Sequence, residues 1–204
     1  MAQRGRKKGA IGTQSRALLL AIATEEFALN GFHETKISTI VNRAGLTQPT
    51  FYLYFRNKEA IFQELVDSFQ SNLFRLIKNS RLDPGIEKEY VSDRIKLGLS
   101  AILHFFNENP DLTRIGLVVS PKSEEIKKEL AALLEENLTA EQQDGYFINE
   151  MDMSIVAESL VGIIERVTII HLFERRRHPE ELAAEIVRLL LYGMQARSEK
   201  KREE

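Results

Sequence analysis

The sequence predicts an all-α protein, and three observations carry that prediction. Breakers are scarce: 204 residues hold 11 Gly and 5 Pro, and long stretches contain neither. Apolar residues make up 43% of the chain, enough for a packed core and too many for wholesale disorder. They recur at three- and four-residue spacing, and no segment alternates as a half-buried strand would. About nine helices follow from that pattern.

The first helix is expected from Thr13, with Thr13 or Ser15 as its cap and a flexible basic arm over residues 1–12 ahead of it. Leu19, Ala23 and Phe27 form its inward stripe, widened by Leu20 and Ile22. Gly31 ends it, because glycine takes the left-handed conformation at little cost. Thr35 is the expected cap of a second helix to about Ala44, with Ile37, Ile40 and Val41 inward. Gly45-Leu46 makes a tight turn, and Thr47 caps a third helix of about eight residues, whose first turn tolerates Pro49. A supporting helix followed by two short ones joined so tightly is a helix-turn-helix.

After Asn57 the helices lengthen. Lys58–Asn79 carries an apolar stripe (Ile61, Phe62, Leu65, Phe69, Leu73), and Asp83-Pro84-Gly85 is a turn. A second long helix runs to about Asn109, where Pro110 breaks it, and Leu112–Val119 is a short one ended by Ser120-Pro121. Ser123–Asn137, Met153–Arg176 and Glu180–Arg197 complete the set, with Gln142–Gly145 as a polar connection. The last two are apolar around most of their circumference, so each needs cover on two sides. A second copy of the chain is the natural cover, which predicts a homodimer through a four-helix seam of Ile163, Val167, Ile170, Ile186, Leu190 and Met194. Gly162 and Gly193 permit close helix approach there.

Composition removes several function classes. With no Cys, a disulfide scaffold, a thiol nucleophile, a thiolate zinc site and an iron–sulfur cluster are excluded. Net charge is only −2, yet residues 1–62 hold nine Lys/Arg against four acids, for +5, and the remainder is −7. A basic first third on an acidic body is the asymmetry expected of a protein whose one end meets a polyanion. The run Ala17–Ala23 is too short for a membrane span and is followed by Glu25-Glu26 instead of a cleavage site, so a cytoplasmic protein without a membrane partner is expected. The four His residues (His33, His104, His171, His178) show no metal-ligand spacing, and no phosphate loop or nucleophile elbow occurs. No enzyme activity, metal or cofactor is expected.

The third helix carries the recognition chemistry. Phe51 and Phe55 share a face that must turn inward, leaving Gln48, Pro49, Thr50, Tyr52, Leu53 and Tyr54 outward. Gln reads adenine bidentately, Thr bonds bases or touches a thymine methyl, and Tyr hydroxyls bind phosphate. Lys58 is placed to meet a backbone phosphate, and Thr35, Lys36, Ser38 and Thr39 to clamp the opposite strand.

These residues carry a resemblance. Arg16-x-x-Leu19-Leu20, Ala23, Phe27, Gly31-Phe32, Thr35, Ile40-Val41-x-x-Ala44-Gly45-Leu46-Thr47 and Thr50-Phe51-Tyr52-x-Tyr54-Phe55-x-Asn57-Lys58-Glu59 resemble the DNA-binding region of the tetracycline-repressor (TetR) family of bacterial regulators. Glu26 departs from the pattern where the family favours an apolar residue, and Val41 where it favours Ala. Past residue 80 the likeness reduces to a helical plan and the stretch Gly162-Ile163-Ile164-Glu165. The resemblance implies a dimeric regulator, usually a repressor, released from a pseudo-palindromic double-stranded operator by a small-molecule inducer. Residues 1–60 would read DNA, and 61–204 would dimerise and bind ligand. The helices that enclose the family's pocket supply Phe62, Leu65, Phe69, Ile102, His104, Phe105, Phe106, Leu117, Arg166 and His171 here, a mix suited to an apolar or aromatic inducer. Two other readings stay open: an all-helical carrier of the same fold, and an architectural DNA binder without an inducer.

Overall fold

The computed structural model describes residues 4–195, with side chains from residue 12 onward. Those residues form α1 (Arg4–Glu34), α2 (Ile37–Arg43), α3 (Gln48–Tyr52), α4 (Lys58–Ser80), α5 (Lys88–Glu108), α6 (Pro110–Arg114), α7 (Ser123–Gln143), α8 (Met153–Val167) and α9 (Pro179–Tyr192). Two π-helical turns, Ile115–Val119 and Thr168–Leu172, continue α6 and α8. No strand occurs among the described residues, and none of their helices is long and apolar enough to cross a membrane.

The chain divides into two compact units. The first runs to Arg75 and takes in Glu108–Ala131; the second holds Leu76–Asn107 and the chain from Ala132 on. The division does not follow residue 60, because α4 continues unbroken past it and its first turns bury Ile61, Phe62, Leu65 and Phe69 in the core of the first unit. Leu19, Phe27, Ile40 and Phe51 complete that core, with the Phe27 and Phe62 rings edge-on at 4.9 Å. The α6 segment and its π turn pack against α1. Gly116 lies so close to Phe69 that a Cβ would stand 2.0 Å from its ring.

Several boundaries differ from the sequence expectation. Helix α1 starts at Arg4 instead of Thr13, since nothing before Gly31 breaks it, so the arm is helical in its backbone. Met1–Gln3, and the side chains of Arg4, Arg6, Lys7 and Lys8, lie outside the described residues. Gly31 does interrupt α1, at φ 76° and ψ 172°. Thr35 does not cap α2: Lys36 holds the N-cap position without a side-chain bond, while the Thr35 hydroxyl donates to the carbonyls of Gly31 (2.7 Å) and Glu26 (3.1 Å). Helix α3 spans five residues, not eight.

The second unit is built around Ile77, Leu82, Leu103, Phe106, Ala157 and Ala183, all essentially inaccessible. Ser80 and Gly98 let α4 and α5 touch at the backbone; a Cβ on Gly98 would lie 2.7 Å from that of Ser80. Helix α7 extends to Gln143 instead of Asn137, because Glu141 is drawn inward and accepts the Leu82 amide at 2.8 Å. Helix α9 stops at Tyr192, where Gly193 takes φ 66° as its C-cap. Ile186, expected in the seam, is 4% exposed within its own chain.

Candidate functional site

The recognition segment is assembled from local chemistry. Gly45, at φ 63°, turns the chain out of α2, and the extended backbone of Thr47 places its Oγ1 to accept the Thr50 amide (3.4 Å) while the two hydroxyls meet at 2.9 Å. Phe51 and Phe55 are buried together with ring centroids 5.5 Å apart. Their inward pull leaves Gln48, Pro49, Tyr52 and Leu53 exposed and Thr50 and Tyr54 half-buried. On α2 and its cap, Lys36 is exposed and Ser38 and Thr39 are half-buried.

Around this surface, charged side chains hold the unit together. Arg16 grips Glu64 through both carboxylate oxygens (2.7 and 2.6 Å) and lies over the Phe55 ring at 5.1 Å. Glu26, the departure from the family pattern, is buried and accepts from Arg43 (2.7 Å) and Asn30 (3.0 Å). Those bonds to Glu26, and a second pair to Glu25, hold the Arg43 guanidinium above its ordinary pKa. Asn57 caps α4 by accepting the Ala60 amide at 2.8 Å. Lys58 turns back into the unit: its ammonium donates to the carbonyls of Phe32 (2.7 Å), Thr35 (3.0 Å) and His33 (3.2 Å) and sits 4.4 Å from the Phe32 ring. Thr35 is equally committed inward.

The second unit contains a cavity of about 570 Å³, within the usual range for small-molecule sites. Leu99 and Ile102 of α5, Leu134 and Leu138 of α7, Phe147 and Met151 of the following loop, Ile155 and Leu160 of α8, and Leu189–Leu191 of α9 line it. Its polar lining is Ser80, Asn137, Glu141, Tyr146 and Ser159. Burial raises the pKa of the Glu141 carboxyl, against the Leu82 amide and Arg81, which lower it, and with Asp144, which raises it.

The sequence model of bacterial regulatory proteins of the tetR family matches residues 19–65. Over 183 residues the chain is 48% identical to the HTH-type transcriptional regulator YdgC of Bacillus subtilis, covering 90% of this chain and 94% of that protein. The chain belongs to the tetR family. This regulator is also 28% identical to the fatty acid metabolism regulator protein of Bacillus subtilis, across 86% of its own length and 93% of the relative's. Among solved structures its fold matches that of FadR from Bacillus subtilis in complex with stearoyl-CoA, with a TM-score of 0.66 at 24% identity, covering 88% and 99% of the two chains.

In the regulator, the nominated ligand residues are scattered. Phe62, Leu65, Phe69 and Leu117 are packed core of the first unit. In the second, Ile102 lines the cavity and Phe106 is fully buried, while Phe105 and His171 are half-buried and Arg166 is exposed. His104 pairs with Glu180 at the start of α9 (2.5 Å), which, after Glu180's own backbone amide, helps hold that carboxyl below its ordinary pKa. The lining from Leu138 to Met151 lies beyond Asn137, where the sequence pattern places the end of α7. The available signal was the continuing stripe Leu130, Leu134, Leu138, Glu141, in which the last member breaks the apolar pattern.

Proposed function

We propose that this regulator is a homodimeric repressor that binds a pseudo-palindromic operator and leaves it when a small apolar molecule fills the cavity. The observation that carries the reading is the outer face of α3: hydrogen-bonding and aromatic side chains project from a helix anchored by buried Phe51 and Phe55. Gln48 and Thr50 would meet base edges, and Tyr52, Tyr54, Lys36, Ser38 and Thr39 phosphates, with Pro49 and Leu53 against the groove wall. Lys58 and Thr35 would serve by positioning α2 and α4. The apolar lining supports the inducer's apolar body, and so does the relative named for fatty acid metabolism. Release follows as a population shift, the inducer binding a form that does not fit the operator.

Selection from random duplex DNA, with the winners titrated at two salt concentrations, tests this reading. An enriched palindrome with fixed half-site spacing is expected. Tyr52→Phe should weaken binding to it roughly tenfold, as one lost hydrogen bond would, with the dimer intact by light scattering. Steeply salt-sensitive binding without a motif would favour an architectural binder, and no binding at all a carrier.

A further inference from the structure

The cavity's polar end is unusual in sign. Among the described residues its lining includes one carboxylate, Glu141, and no Lys, Arg or His. Glu141 is 5% exposed, and its Oε1 accepts the Leu82 amide at 2.8 Å. Among the described residues, no hydrogen bond or ion pair engages its Oε2. Two of the neighbouring hydroxyls spend their only hydrogen on backbone carbonyls, Ser80 on Ile77 (2.8 Å) and Tyr146 on Asp83 (3.3 Å), and Asn137 spends one of its two amide hydrogens on Ile77 (2.9 Å). What Ser80 and Tyr146 leave is acceptor capacity alone, beside the free Glu141 Oε2, while Asn137 keeps one donor as well as its oxygen.

We infer that the cavity selects ligands with an apolar body and a single ammonium end, which Glu141 receives, over ligands ending in a carboxylate. The inference rests on the ligand-site reading above and specifies its chemistry. A carboxylate or phosphate at that end would meet Glu141 with no cation among the described lining residues, Arg81 acting on Glu141 from outside that lining, so the contact is one of like charges largely away from water. An ammonium offers three donors to an acceptor-rich wall and neutralises the one buried charge. The rest of the lining, from Leu99 to Leu190, takes the apolar body.

Three ligands of equal chain length separate the possibilities: decylamine, 1-decanol and decanoate, titrated calorimetrically into the full chain at pH 7. Decylamine should bind at least tenfold more tightly than decanoate, with 1-decanol between them. Glu141→Gln keeps an oxygen for the Leu82 amide and nearly the same volume, so the fold should survive. In that variant the amine-to-carboxylate preference should collapse toward unity while 1-decanol affinity stays within about twofold. A second readout is pH: protonating Glu141 should weaken decylamine binding at pH 5 relative to pH 7 in the wild type and leave the variant unaffected. Decanoate binding as tightly as decylamine, or an unchanged preference in Glu141→Gln, overturns the inference and leaves the apolar-ligand reading standing. Failure of all three to bind overturns both.

Discussion

Lys58 opens α4 with its ammonium within hydrogen-bond distance of three carbonyls that follow the Gly31 break. Carbonyls at a helix end carry partial negative charge and lack intrahelical donors, so a cation there satisfies them and the dipole together. Hydrogen bonds from charged donors contribute about 1.5–3 kcal/mol each when shielded, and this half-exposed group falls toward the lower end. Lys58→Met should therefore lower the free energy of unfolding by about 1–3 kcal/mol, measured by urea denaturation, with operator affinity falling as α2 loses its anchor. Unchanged stability with reduced affinity would instead place the ammonium on a DNA phosphate. The importance of Lys58 was legible in the sequence, but its partners lie 23 to 26 residues back along the chain and were not. Glu26 shows the same limit: its misfit to an apolar position is visible, whereas the Arg43 that resolves it sits 17 residues away.

At the scale of elements, the sequence was most informative where one residue's covalent chemistry decides the backbone. Gly31 and Gly45 interrupt or turn the chain at positive φ, Thr47 caps α3, and Pro110 ends α5, all as residue type alone dictates, whereas Gly193 caps α9 where the sequence pattern runs that helix on to Arg197. It was least informative where tertiary contact decides: Thr35 bonds to α1 instead of capping α2, and Glu141 draws α7 a further turn and more inward. The π turn after α6 belongs to the second class. It sets Gly116 against the Phe69 ring, an approach that excludes any side chain. Gly116→Ala should destabilise the fold by about 1–3 kcal/mol through overpacking, despite alanine's better helix propensity. Thermal unfolding checks this, with Gly162→Ala as the control. Outside its chain neighbours and its own helix backbone, Gly162 has nothing within 4 Å of a Cβ, so there the propensity gain should stand alone in the isolated chain.

For the whole molecule, the decisive quantity is the apolar surface left uncovered. Tyr192 and Met194 at and just after the end of α9 are exposed, Met194 by 90%, Ile155 and Leu189 are exposed where they border the cavity, and Ile163, Val167 and Ile170 are half-buried. Apolar side chains left exposed along the last two helices of a folded chain suit an association surface. A second copy is the occupant consistent with the proposed function, since a pseudo-palindromic operator would require a two-fold pair of α3 helices. The seam expected from sequence thus keeps Ile163, Val167, Ile170, Leu190 and Met194 as its proposed members, while Ile186 is spent on the chain's own core. Ile163→Glu sets a carboxylate at a half-buried position of α8, the residue after Gly162. Two such charges facing each other across a two-fold axis would be desolvated and mutually repelled. The variant should sediment as a monomer with unchanged helical circular dichroism. Its operator affinity should fall roughly a hundredfold or more, because each α3 would then bind its half-site without the effective concentration its partner provides. A stable dimer in light scattering would show that the seam runs along another face.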